Sequence, residues 1–337
     1  MNELILGIES SCDETAAAVV RGGREILSSE VHSQAALHAA YGGVVPEIAG
    51  RSHLARILPV VDRALDLAQI DLSDLTAIAV TTRPGLIGSL LVGVSAAKAL
   101  AFTRSLPLVG VHHIEAHVYA ATMEHPEVAF PCLALVVSGG HTALYRAEDP
   151  LTMRPLGGTL DDAAGEAFDK VAHLLGLGYP GGPAVSKLAE GGNDRALELP
   201  RYRSKSGAPA FSFSGVKTAV LYHVRGQDAA CTRPGIEVED RADVAASFER
   251  AVVDVLVEES LRAARTERLD TVLVAGGVAC NRVLRREMRA RAEQAGVRAL
   301  FPSPAYCTDN AAMIAGLGWH LWKAGRLAAL DLDASPR

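Results

Sequence analysis

The chain has 337 residues, 49% of them hydrophobic and 21% charged, with a formal net charge of -6. That length suits two domains and that composition an ordinary packed core. The negative balance excludes a molecule that binds polyanions over its whole surface, so nucleic acid would need a local basic patch or a partner. Cys12, Cys132, Cys231, Cys280 and Cys307 form no CxxC pair, which argues against a zinc knuckle or a disulfide framework and fits a reducing compartment.

The first predicted element is a strand at Leu4–Ile8, so close to the start that no signal peptide is expected. The polar turn SCDET, a strand AAAVV, the turn RGGRE and the run ILSSEV follow. LTAIAV then reads as a strand, and the loop TTRPGLIGS enters a helix running through Lys98. Leu86–Phe102 contains Gly88, Gly93, Ser95 and Lys98, so it reads as a buried small-residue helix and not a membrane span. A cytoplasmic, soluble protein is the expectation.

After the helical segment VHHIEAHVYA the first pattern returns: CLALVV, the turn SGGHT, ALYRA and the turn EDPLT. The polar, poorly periodic stretches Leu199–Ala210 and Arg225–Glu239 read as surface loops. LDTVLV, the loop AGGVACN and a helix Arg282–Gln294 repeat the strand, Gly-rich loop and helix seen near residue 80. A plan used twice predicts a duplicated α/β pair, with ligand in the cleft between halves. Each glycine loop alone is more often a bare turn, and it is their paired placement that points to ligand.

His113 and His117 stand at i and i+4, one face of a helix and a natural two-point grip on a metal. Asp309, just ahead of the helical run AAMIAGLGWHLW, is the candidate third ligand, with a helix N-cap as its plain alternative. His112 reads as a structural neighbour on the same helix. A zinc peptidase needs HExxH, whereas Ile114 holds the glutamate's place and Glu115 is rotated about 200° from His113. A kinase or chaperone-like ATPase would leave the two histidines and Asp309 without a task.

GIESSCDETAAAVV, HAAYGGVVPEIAGRSH, HHIEAH, VVSGGHT, DDAAGEAFDKVAHLLGLGYPGGP, FSFSGVKT, AGGVACN and CTDNAAMIAG occur in order from about residue 4 to 322. The series resembles that of the bacterial TsaD family, the tRNA N6-adenosine threonylcarbamoyltransferases once labelled O-sialoglycoprotein endopeptidases. The resemblance implies a duplicated actin-like, sugar-kinase-like ATPase fold of two RNase H-like halves. The boundaries expected are 1–118 plus 305–337 for a half with the metal ligands and partner surface, and 119–304 for a half that binds the donor.

It further implies transfer from threonylcarbamoyl-AMP to the exocyclic amine of the adenosine 3′ of the anticodon, in tRNAs reading codons that begin with adenine, with AMP released. The metal, Fe(2+) before Zn(2+), would be held by His113, His117 and Asp309. Donor contacts carry over to Val136, Val137, Ser138, Gly139, Gly140, Asp169, Gly182 and Asn281. Asp13, Glu14 and Lys217 are candidates to orient substrate or move a proton, and Arg282, Arg285, Arg286 and Arg289 to touch tRNA. A TsaB-like heterodimer partner and a TsaE-like ATPase are implied, with the small-residue face of Gly88–Ala97 as one candidate docking surface. The chain departs from the family pattern at Arg83, where glycine is usual, and at Val136, where archaeal and eukaryotic relatives place a metal-binding tyrosine.

Overall fold

A computed structural model describes residues 3–204, 207–226 and 238–337. Two compact units emerge, one of Met1–Val128, Asp149–Met153 and Pro302–Arg337, the other of Ala129–Glu148 and Arg154–Phe301.

The first unit is built on strands β1 (Leu4–Glu9), β2 (Glu14–Arg21), β3 (Glu25–Ser33), β4 (Ala77–Arg83) and β5 (Leu108–His112), in sheet order β3-β2-β1-β4-β5. β1 pairs antiparallel with β2 and parallel with β4. Its helices are the short α1 (Ala35–Ala39), α2 (Pro46–Ala68), α3 (Ile87–Arg104) and α4 (His113–Glu124). β1 is buried along its whole length because both faces of the sheet are covered, the condition that produces an unbroken apolar run. Leu4, Leu6 and Ile8 face α2 and α3. Ile5 belongs to the opposite core with α4 and a helix from the end of the chain.

The second unit has β6 (Cys132–Val137), β7 (Thr142–Asp149), β8 (Thr152–Gly158), β9 (Thr271–Ala275) and β10 (Arg298–Leu300). Its sheet order, β10-β9-β6-β7-β8, is the order of the first sheet read from the other edge, with the matching antiparallel β6–β7 and parallel β6–β9 pairs. The duplication read from the turns SCDET and SGGHT is therefore a duplication of topology. Helices α5 (Ala164–Leu174), α6 (Gly181–Ala189), α7 (Ser214–Arg225), α8 (Val238–Glu267) and α9 (Arg282–Gln294) complete this part of the chain.

The expected loops fall largely outside helices and strands, but residues 205–206 and 227–237, with Cys231, lie outside the described residues, and α8 begins at Val238. α10 (Pro304–Cys307) and α11 (Ala311–Lys323) return to the first unit. α11 lies directly on β1: a Cβ added to Gly7 would stand 2.3 Å from the Ala311 carbonyl oxygen and 2.7 Å from the Ala315 nitrogen. Only glycine permits that approach. The tail then covers the β5 edge, where the Ala328 amide donates to the Leu108 carbonyl at 2.8 Å, and further on the Ser335 amide donates to the Thr82 carbonyl of β4 at 2.9 Å.

α3 is long and apolar enough to cross a membrane by length and composition alone. Ser89, Leu90, Gly93, Val94, Ala97 and Ala101 are buried, whereas Gly88 and Ser95 are exposed, so the small residues of Gly88–Ala97 are divided between core and surface.

Candidate functional site

β5 ends at His112 and α4 begins at His113, so His112 is a strand residue and not a neighbour on the helix. His113 and His117 then project from one face of α4, ring centroids 4.5 Å apart and nearly perpendicular. α11 is capped by Asn310, whose side chain accepts from the Met313 amide at 3.0 Å. That leaves Asp309 free of the capping duty proposed as its alternative, and its carboxylate meets the histidines. His117 Nε2 lies 3.1 Å from His113 Nε2 and 3.1 Å from Asp309 Oδ1, and His113 Nε2 lies 3.4 Å from the same oxygen.

Three donors about 2.1 Å from one ion, at angles between octahedral and tetrahedral, stand about 3.0–3.4 Å from each other. The triangle fits a divalent metal, and two imidazoles with one carboxylate suit iron or zinc alike. Electrostatics agree. Burial alone would depress His113, yet Asp309 and Glu9 raise its pKa well above the ordinary histidine value. Burial and then the His113 charge lower His117. Burial would raise Asp309, but the His113 charge and hydrogen bonds to both rings hold it well below the usual carboxylate range. A pocket that holds a proton so firmly between carboxylates also favours a cation in its place.

Glu9, which the sequence reading passed over, is fully buried behind His113, with Oε2 2.9 Å from the ring Nδ1. Its signal lay in the alternation of β1: Ile5, Gly7 and Glu9 share one face, and a carboxylate at the end of a wholly buried strand needs partners.

Asp13 and Glu14 follow on the turn into β2. Burial, then Asp309 and Asp13, push the Glu14 carboxyl up to about 9. Burial, Asp13 and Asp309 likewise push up the Cys12 thiol, which makes it inert as a thiolate. The turn is pinned to α2 by buried His53, whose Nε2–H donates to the Cys12 carbonyl at 2.9 Å while its Nδ1 accepts from Thr15 Oγ1 at 2.8 Å. Glu115 has Arg83 and Arg326 as its charged neighbours, so it takes no part in the histidine pair.

In the second unit, Val136 and Val137 are fully buried in β6, opposite Ala143 and Thr142 of β7, and lead into the turn that follows. Ser138, Gly139 and Gly140 form the β6–β7 turn, closed by a Ser138 amide to His141 carbonyl bond of 2.8 Å. Gly165 is pressed against that turn, its added Cβ 2.6 Å from the Ser138 oxygen. Asp169 Oδ1 accepts from the Gly181 amide at 2.7 Å, tying α5 to the start of α6, where Gly182 faces open space. Asn281 caps α9 by accepting from the Leu284 amide at 2.8 Å, and its Nδ2 donates to Glu249 at 2.7 Å and Ser186 at 3.1 Å. Lys217 is held by Asp162 at 2.7 Å, and Asp162 also binds Lys170 at 2.8 Å. Asp161 gathers Ser212, Ser214 and the Phe213 and Ser214 amides at the start of α7, so the DDAAG and FSFSGVKT segments brace each other.

The arginines of α9 divide. Arg285 and Arg289 stack on the Phe301 ring at 5.0 and 5.3 Å. Arg282 pairs with Glu190 on the surface and Arg286 with Glu287, while Arg291 is locked to Asp254.

The family model described as "TsaD: tRNA N6-adenosine threonylcarbamoyltransferase" matches residues 25–316. The tRNA N6-adenosine threonylcarbamoyltransferase of Symbiobacterium thermophilum is 56% identical over 333 residues, 99% of this chain and 96% of that protein. The one from Geobacter sulfurreducens is 55% identical over 331 residues, 98% and 95% of the two chains. Among solved structures, full-length HypF in its phosphate- and nucleotide-bound form aligns with TM-score 0.61 at 15% identity, covering 96% of this chain and 46% of that one. Component A of (R)-2-hydroxyglutaryl-CoA dehydratase from Acidaminococcus fermentans aligns with TM-score 0.55 at 17% identity, covering 96% and 100%. These distant structures share the actin-like, sugar-kinase-like fold. The chain belongs to the TsaD family of tRNA N6-adenosine threonylcarbamoyltransferases, and its activity is transfer of the threonylcarbamoyl group to N6 of a tRNA adenosine.

Proposed function

We propose that the donor is threonylcarbamoyl-AMP, that AMP is the leaving group, and that His113, His117 and Asp309 hold one divalent metal, iron in preference to zinc. The convergence of these three donor atoms within 3.4 Å carries the reading. When bound, the metal supplies Lewis acidity toward the donor's carbonyl and phosphate oxygens. An exocyclic adenine amine is a weak nucleophile, so the remaining work is positioning and charge stabilisation. Asp13 and Glu14 orient the incoming amine. The Gly139 and Gly140 amides at the tip of the Ser138–Gly140 turn bind phosphate, and Asp169 accepts from ribose hydroxyls near the Gly182 opening. Asn281, with its side chain already spent on Leu284, Glu249 and Ser186, acts by shaping the donor pocket.

Under this reading the unit with the metal ligands receives the partner and the other unit binds the donor. The outer faces of α2 and α3 expose Leu54, Leu58 and Leu91 at 72%, 55% and 43%, large aliphatics that suit a TsaB-like partner better than the divided small residues of Gly88–Ala97. A TsaE-like ATPase joins the same cycle. tRNA phosphates meet Arg282, Arg285, Arg286 and Arg289, of which the two stacked on Phe301 are pre-ordered. The reaction takes place in the cytoplasm.

The decisive experiment combines synthetic threonylcarbamoyl-AMP, unmodified tRNA and the chain, with and without partner, and reads modified adenosine by nucleoside mass spectrometry. The double substitution His113→Ala, His117→Ala should abolish metal content and transfer while the circular dichroism spectrum persists. Full transfer by that metal-free variant would sink the metal reading.

A further inference from the structure

The structure assigns to Glu9 the task of orienting the metal ligand His113 and of placing a buried negative charge behind its ring that offsets part of a bound dication's charge. The inference rests on the metal reading above. Glu9 is 0% exposed. Oε2 accepts from His113 Nδ1 at 2.9 Å and from Thr81 Oγ1 at 2.7 Å, and Oε1 accepts from the Ser11 amide at 2.5 Å. The proton on Nδ1 leaves the Nε2 lone pair of His113 aimed at the side where Asp309 and His117 converge.

Three donors, the Ser11 amide, the Thr81 hydroxyl and His113 Nδ1–H, converge on this one carboxylate, the set that suits its ionised, acceptor-only form in a buried place. Charge then decides the role. Two neutral imidazoles and Asp309 bring one negative charge to a dication, and Glu9 brings a second to the back of the His113 ring. Replacing Glu9 by a neutral group removes a buried charge that offsets the ion. The support reaches further: the Leu86 amide donates to the Ser11 carbonyl at 2.8 Å, and Gly85 lies against Ser11, so the loop after β4 holds the amide that holds Glu9. Carboxylates behind metal-bound histidines typically change metal affinity 10–100-fold.

A structural hub would give different results from a charge-supplying positioner. Glu9→Gln is isosteric and keeps an acceptor for Ser11, but removes the charge. Thr81→Val keeps the charge and removes one donor. With Zn(2+) titrated calorimetrically into the metal-stripped full-length chain, Glu9→Gln should bind about 10–100-fold more weakly than wild type. Thr81→Val should lose about fivefold or less, and the metal-free Tm of Glu9→Gln should stay within a few degrees of wild type. Glu9→Gln binding Zn(2+) within twofold of wild type, or Thr81→Val losing as much as Glu9→Gln, would overturn the inference. Failure of the wild-type chain itself to bind Zn(2+) or Fe(2+) would overturn the metal centre, and this inference with it.

Discussion

Gly7→Ala tests the link from sheet to site. The new Cβ would sit 2.3 Å from Ala311 O, 2.7 Å from Ala315 N and 2.9 Å from Ala315 Cβ. Ordinary contacts at such atoms begin at about 3.4 Å, so α11 must lift by about 1 Å, and no rotamer relieves a clash with backbone. Overpacking of this kind costs about 1–3 kcal/mol, which for a chain of this size is a fall in Tm of roughly 1–4 °C. Asp309 lies two residues before Ala311, so the lift also carries its carboxylate away from the histidines. Metal affinity should drop about tenfold or more, because ligand sites tolerate only about 0.5 Å of displacement. Gly88→Ala is the control: its Cβ would meet nothing within 4 Å, so Tm should hold or rise slightly. Differential scanning calorimetry and metal titration report both quantities. A Gly7→Ala chain with wild-type Tm and affinity would refute the reasoning.

Metal removal should lower stability: at a free metal concentration about 100 times its Kd the gain is about 2.7 kcal/mol, so chelator should lower the Tm and His113→Ala should be insensitive to it. An equal chelator response in both proteins would contradict this. Asn281→Asp should destabilise although aspartate is normally a good N-cap, because it sets a carboxylate where Nδ2 now meets Glu249 at 2.7 Å; urea titration at neutral pH showing no loss would contradict it. Asp254 titrates below its ordinary range, since Arg291, Arg201 and Arg250 outweigh the burial that would raise it. Its contribution is therefore complete above the unfolded-chain value of about 3.9 and lost as pH falls through the native value. Asp254→Asn should lower stability at pH 7 and flatten the acid limb of the unfolding profile below about pH 4, and an unchanged limb would refute the assignment.

Much of the fold was legible because each unit repeats the signals that specify it. The runs LILGIE and CLALVV are apolar throughout, as strands covered on both faces must be, and their polar turns lead into antiparallel partners. The helix bounds Arg282–Gln294 were readable from the Asn281 cap. Helical spacing put His113 and His117 on one face but favoured two ordinary histidines, and it cannot tell a cap from a ligand at Asp309, so all three needed the motif series to stand out. Glu9 escaped because its partners, Thr81 and His113, are 72 and 104 residues away. Lys217 looked like a charge for substrate, and only the folded chain reveals Asp162 beside it.

The separation of the ligands along the chain has a consequence for biogenesis. His117 and Asp309 are 192 residues apart. At about 5–20 residues per second, ribosomes need roughly 10–40 s to make that interval. During it the nascent chain offers a histidine pair with no completing carboxylate. For the metal proposed at these residues, loading is thus a late event in the life of the polypeptide, because the donor set is complete only once Asp309 has been made.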